Sequence, residues 1–318
     1  CTRVIIIKMN MVSQLKKITI IFLLLSLYLL ISCKPETRAE LNSSLIKSAE
    51  SGDFDKVKLK LKNGADINAK GNDGLTAIYK ASEKGYSKIV EFLLKNGAEL
   101  NTNSDAYYKT PLEIAALNGH LSIVKVLLPY TKKSNEISLA LSSAVSNGNF
   151  AVVDYFLKSL NGRKINLTPS LRKAAVNNKF RLLIKLEKHG ADFNKGDILS
   201  HAAGSGNLGL VKYVFNKLNY NAKARSLAVL SAVEKGSPEI LRFLLKKMPK
   251  KRGLKFAFRN AAKSGQTDLL RIFINNKTNV NANYRKGGSA LFNAVAYFRH
   301  EAVKLLLENG AKINTGYQ

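Results

Sequence analysis

At 318 residues, 46% hydrophobic and 23% charged, the chain can bury a sizeable core, which excludes wholesale disorder. Lys and Arg number 51 against 22 Asp and Glu, a formal charge of +29; attraction to nucleic acid, anionic lipid or acidic glycan would use that excess, and drift in AT-rich coding sequence, which favours Lys, Asn and Ile, would also produce it. The two cysteines, Cys1 and Cys33, both precede the bulk of the chain, which excludes a disulfide framework or thiolate metal site there.

The first forty residues read as an address. Cys1 to Lys8, ahead of Met9 and Met11, is expected to be upstream read-through or a mis-set start. From Met11 a basic pair, Lys16-Lys17, leads into an apolar run from Ile18 to Ile31, broken only by Thr19, Ser26 and Tyr28, and then Ser32-Cys33. That order predicts a secretory signal. The run falls short of the roughly 20 residues of a spanning helix, although Met9 to Leu15 could extend it into a retained anchor.

Leu30-Ile31-Ser32-Cys33, followed by the polar Lys34-Pro35-Glu36-Thr37-Arg38, resembles the lipobox of bacterial lipoproteins, with Ile31 a looser fit than Ala or Ser. The resemblance implies that residues 1–32 are removed and that Cys33 is lipidated. The protein would then be exported and anchored on the periplasmic or outer side of a bacterial membrane, each buried methylene contributing about 0.8 kcal/mol. An ordinary cysteine near a plain cleavage site is the competing reading. Residues 33–40 are then a linker and residues 41–318 one domain, and the processed chain keeps 47 basic against 22 acidic residues, a charge of +25.

The remainder repeats. Thr110-Pro111-Leu112-Glu113-Ile114-Ala115-Ala116-Leu117-Asn118-Gly119-His120 recurs in outline at Asp73 to Ala81 and at Ser289 to Ala294. An aliphatic segment closing in Asn-Gly-Ala-Asp-hydrophobe-Asn has copies at 63–68, 96–101, 189–194 and 309–314, with Glu99, His189 and Lys312 as departures. These motifs resemble the ankyrin repeat, over about Leu41 to Asn314. The resemblance implies an all-α solenoid of helix-turn-helix units joined by β-turn fingers, usually serving to bind proteins. A fingerless two-helix repeat is the alternative.

A recurring glycine serves as ruler: Gly52, Gly85, Gly119, Gly148, Gly206, Gly236 and Gly265, with Asn178 and Phe298 in the vacant slots. The nine units are spaced 33, 34, 29, 30, 28, 30, 29 and 33 residues apart, against about 33 for the family. The middle fingers, from about Tyr130 to Asn260, are therefore expected to be stunted. Paired small residues such as Ala115-Ala116, Ala174-Ala175, Ala202-Ala203 and Ala261-Ala262 should let first helices approach closely. Glycine supplies a left-handed turn that Asn178 tolerates and Phe298 resists, so the last pair is expected to turn differently.

No chemistry emerges. His120, His189, His201 and His300 form no metal pair at helical spacing; Gly71-Asn72-Asp73-Gly74 and Gly287-Gly288-Ser289 lack the Gly-Lys-Ser/Thr ending of a phosphate loop and read as finger turns. No catalytic elbow or zinc-protease helix is present, so no enzyme and no cofactor are expected. By the resemblance, binding falls on a concave face of finger tips and first-helix residues before the ruler glycine. The candidates are Glu83, Lys84, Leu117, Asn118, Glu234, Lys235, Lys263 and Ser264, joined by Tyr107, Tyr108 and Lys109 of a finger. The run Lys246-Lys247-Met248-Pro249-Lys250-Lys251-Arg252 reads either as a solvated linker or as a polyanion site. The leading expectation is a monomeric envelope scaffold binding a protein partner. The alternative is a basic module on anionic lipid or glycan, and nucleic acid is disfavoured because aromatics do not interleave with the basic clusters.

Overall fold

The computed structural model describes residues 19–21, 36–100, 109–160, 164–219, 222–247, 254–282 and 288–313. From Arg38 onward the helices come in pairs: α1 (Arg38–Ser51) and α2 (Phe54–Lys62), α3 (Ala77–Lys84) and α4 (Ser87–Lys95), α5 (Pro111–Asn118) and α6 (Leu121–Leu127), α7 (Ser134–Asn147) and α8 (Phe150–Ser159), α9 (Thr168–Val176) and α10 (Phe180–Lys188). There follow α11 (Ile198–Ser205) and α12 (Leu208–Lys217), α13 (Ala222–Lys235) and α14 (Pro238–Lys246), α15 (Lys255–Lys263) and α16 (Thr267–Asn275), and α17 (Ala290–Ala296) and α18 (His300–Glu308). Among the described residues these are nine units, one for each ruler position. The first helix starts inside the segment read as linker, because Thr37 and Glu40 close a capping box at its N-terminus.

Local chemistry sets the ends. The hydroxyls of Thr76 and Thr110 accept from the backbone N–H groups of Tyr79 and Glu113, and Pro111 occupies the first turn of α5, where its missing N–H costs nothing. Gly85 ends α3 at φ +90°, and the His120 ring of the next unit lies over it so closely that a Cβ there would stand 2.9 Å from the ring. Backbone conformation and space both demand glycine. The closing Asn-Gly-Ala-Asp-x-Asn motif also has a structural reason, since Asn68 Oδ1 accepts from Glu99 N at 2.9 Å and Asn194 Oδ1 from Asn219 N at 3.0 Å, each one unit on.

The last turn departs from expectation. Phe298 adopts φ +55°, the same left-handed conformation as Asn178 at +53°, and Arg299 N donates to Ala294 O as Asn149 N does to Ala144 O. The final pair therefore turns like the others. Its apex is fixed by those hydrogen bonds and by burial of Ala294, Leu305 and Leu306, which together outweigh a left-handed cost of about 1–2 kcal/mol at one residue.

The fingers follow the spacing. Residues 63–76 form a full connection, whereas only 131–133 separate the short 3-10 turn Leu128–Tyr130 from α7. The shortening has a source that spacing did not reveal: α7 and α13 run for 14 residues where α3 and α5 have eight, so the first helix grows into the space a finger would fill. In the finger before α3, Lys70 pairs with Thr76 and Gly71 N donates to Leu75 O around the Gly71–Gly74 turn.

All four alanine pairs are fully buried. First helices of successive units therefore lie close along much of their length, while second helices, carrying Leu, Ile and Phe, touch at fewer points. A stack tighter on one side bends toward that side, which puts the first helices on the inner flank. Each unit shares its apolar residues with both neighbours, giving one continuous core from Leu41 to Ala311.

Candidate partner-binding surface

The inner flank is built from first-helix residues that packing leaves uncovered. Of the residues singled out in the sequence, Lys84, Asn118, Glu234, Lys235, Lys263 and Ser264 are exposed there, and Glu83 and Leu117 are half-buried. Lys109 is half-buried at the base of its finger, with Nζ 3.8 Å from Glu113. Tyr107, Tyr108 and Cys33 lie outside the described residues.

Several of these positions also stitch the stack. Asn118 Nδ2 donates to Glu83 O at 2.9 Å, and His120 Nε2 lies 3.0 Å from the same carbonyl. One unit on, Asn147 and Asn149 donate to Leu117 O at 2.8 and 2.7 Å; near the far end Gln266 donates to Val233 O, and Arg299 Nε to Lys263 O, both at 3.0 Å. At four turns the residue that follows, His120, Asn149, Gln266 or Arg299, thus meets a carbonyl in the last turn of the preceding unit's first helix. Sequence reasoning missed this ladder. Its only trace is the recurrence of a hydrogen-bonding side chain directly after the ruler position.

Also missed were apolar side chains on the same flank. Leu139 on α7, Val176 on α9 and Phe256 on α15 are 48%, 46% and 48% exposed. Neighbouring units place Thr76, Thr110 or Ser289 where Leu139 and Phe256 sit, so the signal was an apolar residue in a capping position.

Ion pairs tie neighbouring units along both rows of helices. In the first units, Lys80 on α3 lies 3.4 Å from Glu50 and 2.8 Å from Asp73; its ammonium holds the Asp73 carboxyl below the usual range, and the pair raises the Lys80 pKa. Midway, Lys158 and Lys185 hold Asp154 down to about 2. Lys217 and the Tyr213 hydroxyl lower Glu187, and Glu187 pushes Tyr213 up to about 12. These pairs join adjacent units; none is arranged as an acid–base couple in a cleft. Among the described residues no group of His, Cys, Asp or Glu could hold a metal ion, and no helix is long and apolar enough to cross a membrane.

Two hollows open on the stack. One, of about 470 Å³, lies beside α1 and the first finger against Asn42, Ile46, Glu50 and Asp73. The other, of about 790 Å³, lies between the connections before α9 and α11, against Lys164, Arg172, His189 and Lys195.

The family model "Ankyrin repeats (3 copies)" matches residues 11–104, 45–138, 100–169 and 230–316. The gap between the last two matches falls on units whose connections are shortened. Among solved structures, the crystal structure of the human ASB11 ankyrin repeat domain is similar at 22% identity, covering 65% of this chain and 99% of that one with a TM-score of 0.53. That likeness concerns the fold. No curated protein matches significantly.

Proposed function

Since this chain belongs to the ankyrin-repeat family, whose repeats generally serve as protein-protein interaction modules, we propose that it is a non-enzymatic scaffold of a bacterial cell envelope, gripping a protein partner with the inner flank of its stack. The observation that carries the reading is the exposure of Leu139, Val176 and Phe256 along the first helices, where they cover no core. Apolar side chains left in water on the flank that bends inward supply the anchors of an interface. Glu83 and Lys84 precede Leu139 and Val176 along the flank, and Lys235 and Lys263 bracket Phe256, so the apolar groups are set among charged ones.

The envelope location is carried by the sequence Lys16-Lys17, its apolar run and Leu30-Ile31-Ser32-Cys33. A lipid on Cys33 would tether one end of the stack and leave the inner flank facing its partner. Incorporation of an alkyne-labelled fatty acid in a bacterial host, abolished by Cys33→Ser, is expected; labelling that survives C33S excludes this anchor.

For the binding reading, partner capture from envelope extract is compared between the wild-type chain and L139S/V176S/F256S. The triple variant removes exposed apolar groups without opening the core, so retained folding and lost capture are the expected result. Undiminished capture by the variant contradicts the inner-flank assignment.

A further inference from the structure

The partner's chemistry can be taken one step further, resting on the protein-binding reading. The excess positive charge is not spread evenly: residues 36–160 hold 16 basic against 14 acidic side chains, and residues 161–313 hold 30 against 8. Eight carboxylates cannot neutralise thirty cations. On the flank itself the contrast is sharper, because α1, α3, α5 and α7 carry four basic and five acidic residues, while α9, α11, α13, α15 and α17 carry eight basic and only Glu234. Outside these helices Asp197, at the start of α11, is a further acid on that side.

Contrary to the expectation from sequence, aromatic rings do interleave with these cations. Phe256, Arg259 and Lys263 recur along one face of α15. The Arg259 guanidinium lies 5.3 Å and the Lys255 ammonium 5.7 Å from the centre of the Phe256 ring, and Lys263 lies 4.6 Å from that of Tyr297 in the next unit. Both rings remain nearly half exposed. Two units earlier the 790 Å³ hollow brings Lys164, Arg172 and Lys195 together, with Asp192 4.0 Å from Lys195.

We propose that the inner flank of α9 to α17 receives an acidic segment of a partner protein, its carboxylates meeting Arg172, Lys235, Arg259 and Lys263 and its apolar side chains covering Phe256 and Tyr297. Guanidinium groups beside exposed rings suit carboxylates flanked by apolar groups. A flat anionic bilayer fits less well. It would reach protruding turn apexes, and there Glu239, Asp268 and Glu301 follow closely on Lys235, Lys263 and Arg299. Basic residues outnumber acidic ones eight to one along the first helices of the inward-bending flank, which a polypeptide segment can follow and a plane cannot.

The test is fluorescence anisotropy of the full chain with a labelled synthetic peptide of glutamate and aspartate interspersed with leucine and phenylalanine. Two charge reversals of equal size are compared, R259E/K263E on the basic flank and K47E/K88E at the other end, with R259Q/K263Q as a milder variant and circular dichroism as a folding check. Expected are binding by wild type, loss of about tenfold or more in R259E/K263E, a smaller loss in R259Q/K263Q, and less than about twofold change in K47E/K88E. Failure of the peptide to bind, or equal weakening by both reversals, overturns the proposal. So does preferential binding to phosphatidylglycerol–phosphatidylcholine vesicles or to single-stranded DNA. A protein partner whose footprint covers α1 to α7 alone also overturns the acidic assignment while leaving the protein-binding reading standing.

Discussion

In the first four units the charged side chains are engaged largely with one another: Lys80 joins Glu50 to Asp73, Lys60 reaches Glu36, and Lys109 faces Glu113. In the last five the same framework carries nearly four basic residues for every acidic one. Yet the buried rows are alike, with Ala115-Ala116 in one region matched by Ala261-Ala262 in the other, and Phe156 by Phe273. Stacking depends on the apolar rows and the turn ladder, so the surface can change character along the chain without disturbing the fold. The charge is a property of the surface of the last five units and not of the repeat.

If that separation holds, truncating a core ring costs the same in either region. Phe156→Ala and Phe273→Ala should each destabilise by about 3–5 kcal/mol in urea unfolding; a much smaller loss for Phe273 would mean that the basic units are loosely packed. Turn apexes sharpen the comparison at smaller scale. Gly85→Ala is expected to destabilise by about 1–2 kcal/mol, because a Cβ meets both the left-handed backbone and the His120 ring. Phe298→Gly should stabilise by about 1 kcal/mol, since the replaced side chain is 80% exposed and gives up little packing. Thermal melts of the two variants should shift in opposite directions.

The smallest effect lies at the seam. Asp154 on α8 pairs with Lys158 and with Lys185 of α10, which holds its folded pKa down to about 2. A depressed carboxylate pKa gives stability that is complete above the unfolded value of about 4 and is lost as pH falls through about 2. Asp154→Asn should therefore flatten the acid limb of the stability profile in that interval and leave its neutral region's slope unchanged. An identical acid limb would show that the pair contributes nothing across the seam.

Much of this architecture was legible beforehand because it is written at fixed spacing. Thr110-Pro111-Leu112, the ruler glycines and the alanine pairs each state a local requirement, whether cap, left-handed turn or close approach. Short spacing also announced short fingers. It could not announce that α7 and α13 lengthen, since a lost finger and a finger converted to helix leave the same residue count. Phe298 was misread because propensity at one apex was weighed without the two helices that hold it. The ladder of His120, Asn149, Gln266 and Arg299 escaped because each partner lies roughly a repeat away in sequence and becomes adjacent only on stacking. Total charge, visible at once, concealed its distribution; that emerged only when charges were assigned to individual helices. The proposed anchor at Cys33 and the finger aromatics Tyr107 and Tyr108 stand on sequence alone.

The most direct measurement of the central claim is hydrogen–deuterium exchange on the chain with and without a partner captured from envelope extract. Protection concentrated on the first helices and the segments joining units, with α10, α12, α14 and α16 little changed, is the predicted footprint. Protection confined to the second helices would contradict an inner-flank binding surface.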